Sequence, residues 1–347
     1  MNKITQNVKE YYGEILTNKD DLKTSACCNI ENSNPNLAKY LANIHSEIKN
    51  KFYGCGSPIP SALKGKTVLD LGSGTGMDTY IVSQLVGSKG KVIGIDMTEN
   101  QLKIANKYID YHMNKFGYEK LNINFIKAYI EDLKAVGIEN NSIDVVISNC
   151  VINLAESKNK VFNEIFRILK PGGELYFSDV FTDRRVPEHL INDKLLYGEC
   201  LSGALYIEDF RRLLQKAGFL DYLVVTKNVI DIKDKRIKEL VRDIKFYSIT
   251  IRTFKCDFED ASEDYGHKAT YLGTINDMSA SFTLDDKHKF YKNKPLAING
   301  NIAKILTLSR YSKYFNIEGD FSTHYGAFEN KNTDSSSSEC VSSNCCS

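Results

Sequence analysis

A doubly wound α/β sheet, preceded by a helical segment and followed by a smaller α+β unit, is the fold class this sequence predicts. Three observations carry it. Between about Leu63 and Ile230, apolar runs of strand length alternate with amphipathic stretches of ten or more residues. A glycine-rich turn, Gly72-Ser73-Gly74-Thr75-Gly76, follows the first such run and opens the next helix. After about Asp231 the alternation stops and short strand-like segments take over.

The elements follow in order. Residues 1–48 read as mostly helical from Val8, broken by the polar stretch "NIENSNPN". In the second unit, residues 49–230, "KTVLDLG" is a strand and "MDTYIVSQLVG" a helix ending at Gly87. "KVIGIDM" is the second strand, and the helix after it takes Thr98 as its N-cap and runs to Gly117. Strands at "INFIKAYI" and "IDVVISN" come next, then a helix over "NKVFNEIFRIL", stopped by a turn at Lys170-Pro171-Gly172-Gly173. "GELYFSDV" is a strand, "IEDFRRLLQKAG" a helix and "YLVVTKNVI" a strand. Strands alternating with helices imply a mostly parallel sheet covered on both faces, with ligands beyond the carboxyl ends of the strands. Residues 231–329 form the α+β unit, with strands at "FYSITIRTF", "KATYLGTI", "ASFTL" and "HKFYKNKPLAI" and a helix over "GNIAKILTLSRYSKYF". The tail, residues 330–347, has almost no core-forming residues and is expected to be disordered.

Composition removes several classes. Lys+Arg 45 against Asp+Glu 44 leaves no basic excess for nucleic acid. No apolar run approaches the roughly 18–20 residues of a membrane span, and the polar start lacks a secretory apolar core. The expectation is a cytoplasmic monomer with no nucleic-acid or membrane partner. Its nine cysteines are odd in number and lack paired C-x-x-C spacing, which argues against a disulfide scaffold or zinc ribbon.

The glycine turn lets backbone approach a ligand closely, but its G-x-G-x-G spacing is not the dinucleotide fingerprint. Asp70 sets a carboxylate beside it, which repels phosphate and attracts an ammonium. Asp96, ending the second strand, is placed to accept ribose hydroxyls. Ile130 would cover an adenine face, and Glu131 or Asp132 would address its amino group. Ammonium, ribose and adenine without phosphate describe S-adenosylmethionine. Ser73, Met97, Gln101 and Asn149 join Asp70, Gly72, Gly74, Gly76, Asp96, Ile130 and Glu131 as expected cofactor-binding residues. Tyr53, before Gly54-Cys55, is held as a residue that would lie over the cofactor or substrate.

A lone buried cysteine is more often filler than chemistry. Here, however, Cys150 ends the fourth strand, Cys200 follows the fifth among small residues, and Cys55 sits in a glycine-bracketed turn. Three thiols converging on one pocket suit a soft acceptor. Trivalent arsenic fits, since it takes three sulfurs in a pyramid and keeps a lone pair to attack a sulfonium methyl. No lysine or arginine stands beside Cys150 in the sequence, so arsenic itself is expected to displace the thiol protons.

From about Val8 to Gly326 the motifs "VKEYYG", "DLKTSACC", "FYGCGSPIP", "LDLGSGTGMDTY", "IGIDMTENQL", "ISNCVINL", "ILKPGGELYFSDVF", "GECLSGALY" and "EDYGHKATYLGTI" resemble arsenite methyltransferases. The resemblance implies a class I methyltransferase domain, Rossmann-like, with the C-terminal α+β accessory unit of that family. It implies that Cys150 and Cys200 are the arsenic-binding pair and Cys55 the third thiol. It further implies that Cys27 forms a disulfide with Cys55 during turnover, reset by thioredoxin or glutathione. Cys28 adjoins Cys27 where the family often has one cysteine, which leaves the choice between them open. The substrates implied are arsenite and methylarsenite. Two other readings compete: a C- or O-methyltransferase acting on a lipid or quinone, and a non-catalytic thiol protein that stores zinc or arsenic. The six histidines show no ligand spacing.

Overall fold

Alternate residues of the first strand face opposite ways, and both faces are apolar, so the chain must cover it twice. The computed structural model describes residues 37–329 apart from Tyr53, Cys55, Asn192, Lys194, Leu195, Tyr197 and Gly198. Strands β1 (Thr67–Leu71), β2 (Lys91–Asp96), β3 (Ile123–Lys127), β4 (Ile143–Asn149) and β5 (Leu169–Thr182) run parallel in the order β3-β2-β1-β4-β5. The order reverses between β1 and β4, the switch point where such sheets bind ligands. Val68, Val145 and Ile147 pack on one face with Tyr80, Ile81 and Ile48. Leu69, Leu71 and Val146 pack on the other with Phe162, Ile165 and Phe210.

The described helices of this part of the chain are α1 (Ala38–Leu41), α2 (Ser46–Asn50), α3 (Met77–Val86), α4 (Glu99–Lys107), α5 (Ile109–Phe116), α6 (Lys158–Ile168), α7 (Glu188–Ile191) and α8 (Ile207–Ala217), of which α2, α3, α6 and α8 supply those side chains. The single long helix expected after Thr98 is two, divided at Tyr108. Thr98 does hold the N-cap position, yet its side chain makes no cap bond; its own N–H goes to Asp96 Oδ1 at 2.7 Å. Lys170-Pro171-Gly172-Gly173 is absorbed into β5 as a register jump. Leu169 pairs with Ile143 and Glu174 with Val145, so residues between them bulge out.

Two short edges complete the sheet: β6 (Leu205–Tyr206) beside β5, and β7 (Leu223–Val229) at the far end. After α9 (Lys235–Val241), strand β8 (Phe246–Phe254) inserts antiparallel between β5 and β7. Sequence had placed this strand in the C-terminal unit. Its apolar residues are buried almost throughout, which an inner strand covered on both faces requires. The remaining unit has strands β9 (Lys268–Tyr271), β10 (Ser281–Thr283), β11 (Lys289–Tyr291), β12 (Pro295–Ala297) and β13 (Phe315–Glu318), with α10 (Gly300–Leu308). They form the antiparallel sheet β12-β9-β13 and the hairpin β10-β11.

A buried ion cluster fastens this unit to the main sheet. Glu174 of β5 pairs with Arg252 of β8 and with Arg310, while Arg252 donates to Leu284 O at 2.8 Å and to the Tyr311 hydroxyl at 2.8 Å. Arg310 and Tyr311 also reach Ser61 O, tying in the segment before β1. No described helix is long and apolar enough to cross a membrane. The N-terminal expectation up to residue 36, and the tail, lie outside the described residues.

Candidate active site

The loops leaving the carboxyl ends of β1, β2, β3 and β4 line a cleft partly open to solvent. Asp70, Gly72, Ser73, Gly74, Asp96, Met97, Gln101, Ile130, Glu131, Asn149 and Cys150 all line it. Gly76 does not. It sits at the N-cap of α3 with φ +90°, and a Cβ there would lie 2.6 Å from the Phe125 ring, so its role is packing. Ile130 and Glu131 belong to a loop beyond β3, which ends at Lys127, rather than to the strand end itself.

The electrostatics favour a cation. Asp70 accepts the Thr79 hydroxyl at 2.6 Å, and burial together with neighbouring Asp78 pushes its carboxyl up to about 8. Burial raises Asp78 to about 6, against the Asn149 amide that donates to it at 3.0 Å. Asp96 is clamped by backbone, accepting Gly74 N–H at 2.9 Å and Thr98 N–H at 2.7 Å. Those bonds fix each carboxylate oxygen while leaving it lone pairs for ribose hydroxyls. Ser73 Oγ is buried without a hydrogen-bond partner, a group left for a ligand to satisfy. Glu131 accepts the N–H of Glu156 at 2.9 Å, joining the loops after β3 and β4. These features fit the ammonium, ribose and adenine of S-adenosylmethionine.

The thiol side is built differently. Cys150 follows β4 with φ +55° and donates its N–H to Ser178 O at 2.9 Å. Cys200 also has a left-handed backbone, φ +60°, and its sulfur lies 3.6 Å from the Cys150 carbonyl oxygen. The two distant cysteines are therefore brought together. Two features of these cysteines stand out. Cys200 does not line the cleft; it is fully shielded in an apolar cluster with Leu154, Leu196, Leu201 and Ile237, because its turn folds down onto the Cys150 turn. Cys150 is disulfide-bonded.

Tyr53, Cys55, Cys27 and Cys28 lie outside the described residues. Gly54 and Gly56 are described, and both press on the site. A Cβ on Gly54 would lie 2.6 Å from Asn149 Nδ2, and one on Gly56 would lie 2.5 Å from Ser178 Oγ. Asn149 donates to Gly56 O at 3.1 Å as well as to Asp78.

Several site residues escaped the sequence reading. Asp78 is hidden in what reads as an ordinary helix start, though it stands four residues after Gly74 and faces the same cleft. Lys158, at the N-terminus of α6, supplies a cation near Cys200. Burial pushes its ammonium below the ordinary range, against the opposing pull of Asp179, Glu131 and the Cys200 thiol. Sequence reasoning searched only the neighbours of Cys150 along the chain, and Lys158 is brought in by the helix.

Sheet order, glycine loop and acidic cleft define a class I S-adenosylmethionine-dependent methyltransferase. Residues 62–218 match the methyltransferase domain family model, and residues 265–347 match the arsenite methyltransferase C-terminal domain. An arsenite methyltransferase of Aquipseudomonas alcaligenes is 46% identical over 325 residues, spanning 93% of each chain. The human arsenite methyltransferase is 42% identical over 313 residues, 90% of this chain and 83% of the human one. The crystal structure of an arsenic(III) S-adenosylmethionine methyltransferase from Chlamydomonas reinhardtii superimposes with a TM-score of 0.82 at 46% identity, covering 85% of this chain and 99% of that one. The chain belongs to the arsenite methyltransferase family.

Proposed function

We propose that the enzyme methylates thiol-bound trivalent arsenic, accepting arsenite and then methylarsenite, and that cysteine thiols reduce the product between turns. The observation that carries this reading is the Cys200 sulfur lying 3.6 Å from the Cys150 carbonyl, beside a cleft whose carboxylates suit a cationic methyl donor.

S-adenosylmethionine, when bound, supplies an electrophilic methyl on a sulfonium. Asp70 and Asp78 hold its ammonium end, Asp96 its ribose, and Ile130 and Glu131 its adenine, with Gly72, Ser73, Gly74, Met97, Gln101 and Asn149 shaping the walls and Tyr53 over them. Cys150, Cys200 and Cys55 bind As(III) as thiolates, each thiol losing its proton as an arsenic hydroxyl leaves as water. Lys158 offsets the charge of the thiolates as they form.

When the arsenic lone pair takes the methyl, arsenic is oxidised from the trivalent to the pentavalent state. Two protein thiols then return two electrons and become a disulfide. Cys27, or its neighbour Cys28, pairs with Cys55 in this role, and cytosolic thioredoxin or glutathione restores the thiols. Residues 49–230 and the inserted β8 carry the chemistry, and the C-terminal unit braces them through Glu174.

The test is incubation with arsenite, a thiol reductant and methyl-labelled S-adenosylmethionine. Labelled methylarsenic is expected, and omission of the reductant should stop the reaction. Label found only in an organic acceptor, or arsenic retained without methyl transfer, would overturn the reading.

A further inference from the structure

Cys150 and Cys200 both hold backbone conformations that non-glycine residues adopt only where their surroundings enforce them. Within the Cys150 turn, the main-chain bonds Leu154 N–H to Val151 O at 2.9 Å and Ala155 N–H to Ile152 O at 3.1 Å close a short helical turn without anchoring it to the sheet. Cys150 N–H holds the start of the turn to Ser178 O of β5 at 2.9 Å, and Asp179 of the same strand anchors the rest. Its Oδ2 accepts the Asn153 backbone N–H at 3.1 Å, and its Oδ1 accepts the Asn153 side-chain amide at 2.7 Å and Val180 N–H at 2.8 Å. The same amide donates to Val180 O at 2.5 Å.

Both residues are almost completely shielded, and neither lines the cleft. The Cys200 turn rests on this anchored turn. A Cβ on Gly203 would lie 2.4 Å from Asn153 O, so the two backbones meet there. Beyond the Cys150 N–H bond, this buried pair ties the body of the first turn to the sheet and presents the surface on which the second turn packs.

We infer that Asn153 and Asp179 are positioning residues for arsenic capture, setting the spacing at which the Cys150 and Cys200 sulfurs can chelate one arsenic atom. The inference rests on the reading of these cysteines as arsenic ligands. Trivalent arsenic needs its sulfurs close together and held. A turn released from Asp179 keeps its thiols yet loses their common spacing, so chelation should suffer while the reactivity of each single thiol does not.

The experiment uses the reduced full-length enzyme and its Asn153→Ala and Asp179→Asn variants. Phenylarsine oxide probes paired thiols, iodoacetamide probes single thiols, and calorimetry reads S-adenosylmethionine binding. Asn153→Ala should bind phenylarsine oxide roughly tenfold or more weakly, the size of effect usual for a partner behind a metal ligand. Alkylation of Cys150 and Cys200 and S-adenosylmethionine affinity should stay within about twofold, and arsenite KM should rise more than kcat falls. Asp179→Asn keeps the Oδ1 acceptor and should fall between wild type and Asn153→Ala; it decides the matter by the same readouts if Asn153→Ala does not fold. Unchanged phenylarsine oxide affinity overturns the inference, as does a parallel loss of arsenical and S-adenosylmethionine affinity. Failure of the wild type to bind phenylarsine oxide any better than Cys200→Ser overturns the arsenic reading itself.

Discussion

On the side of the cleft formed by the loops after β1 and β2, function is carried by buried carboxylates and backbone amides. Asp70, Asp78 and Asp96 crowd together, and Gly74 and Thr98 donate main-chain bonds that hold Asp96 in place. On the side formed by the turns after β4 and β5 the groups are cysteines in an apolar cluster, on strained backbone, and one of them is fully hidden. The contrast follows from the ligands. A cation draws buried carboxyls into their ionised form, and Asp70, Asp78 and Asp96 already stand in place for it. On the proposed reading a soft metalloid is held by thiolates, whose charge is costly to bury, so shielded cysteines stay protonated until the ligand displaces the protons.

Removing a thiol should separate the two sides most sharply. Cys150→Ser and Cys200→Ser are each expected to abolish methylation of arsenite and methylarsenite while S-adenosylmethionine still binds, measured by labelled product and by calorimetry. Cys27→Ser should spare methylarsenite more than arsenite. Full activity in the Cys150 and Cys200 variants would erase the functional difference between the sides. On the acidic side, Asp70→Asn should do the reverse. Loss of a charged hydrogen-bond acceptor weakens cofactor binding by roughly ten- to a hundredfold, with phenylarsine oxide binding unchanged.

The acidic side was largely legible in the sequence because β1, its glycine turn and β2 are short-range features, and "LDLGSGTG" and "IGIDM" announce them. Asp78 was missed since nothing in a helix start reveals that its side chain turns back to Asn149. The thiol side was legible as a set of cysteines but not as geometry. Fifty residues separate Cys150 from Cys200, and no periodicity says that the second turn packs beneath the first rather than opening to the cleft. Strand β8 failed for a similar reason: its partners β5 and β7 are chosen by long-range pairing, and the short elements around it looked like a new unit. Lys158 and Asp179 were invisible because their neighbours are distant along the chain.

Acidity should distinguish the sides by a smaller, graded effect. Asp70 and Asp78 keep protons in the folded, empty protein up to about 8 and about 6, well above the ordinary carboxylate range. A carboxyl with a raised folded pKa stabilises the fold fully below its unfolded pKa and loses that contribution as pH climbs through the folded value. Stability without ligand should therefore decline as pH rises from the ordinary carboxylate range through these two values. A bound cation favours the ionised forms, so cofactor affinity should rise over the same window, by up to about tenfold per pH unit for each proton released. Thermal melts with and without S-adenosylmethionine across that range would check this; a flat affinity profile would mean that the pair does not face the cation.

The smallest effect expected tests how tightly the segment around Cys55 is pressed against the sheet. A Cβ on Gly56 would meet Ser178 Oγ at 2.5 Å and Ser178 Cβ at 2.9 Å. Ser178 cannot swing freely aside, because its hydroxyl is bonded to Thr250 Oγ1 at 2.7 Å and its carbonyl accepts the Cys150 N–H. Gly56→Ala must therefore move the segment outward, stretching the bond from Asn149 to Gly56 O rather than breaking the sheet. Asp70 and Asp96 do not depend on that bond, so cofactor affinity should hold while arsenite KM rises by a few-fold, roughly what one weakened hydrogen bond allows. Equal losses on both sides would show that Asn149, which also reaches Asp78, couples the thiol turns to the acidic wall more strongly than their separate construction suggests.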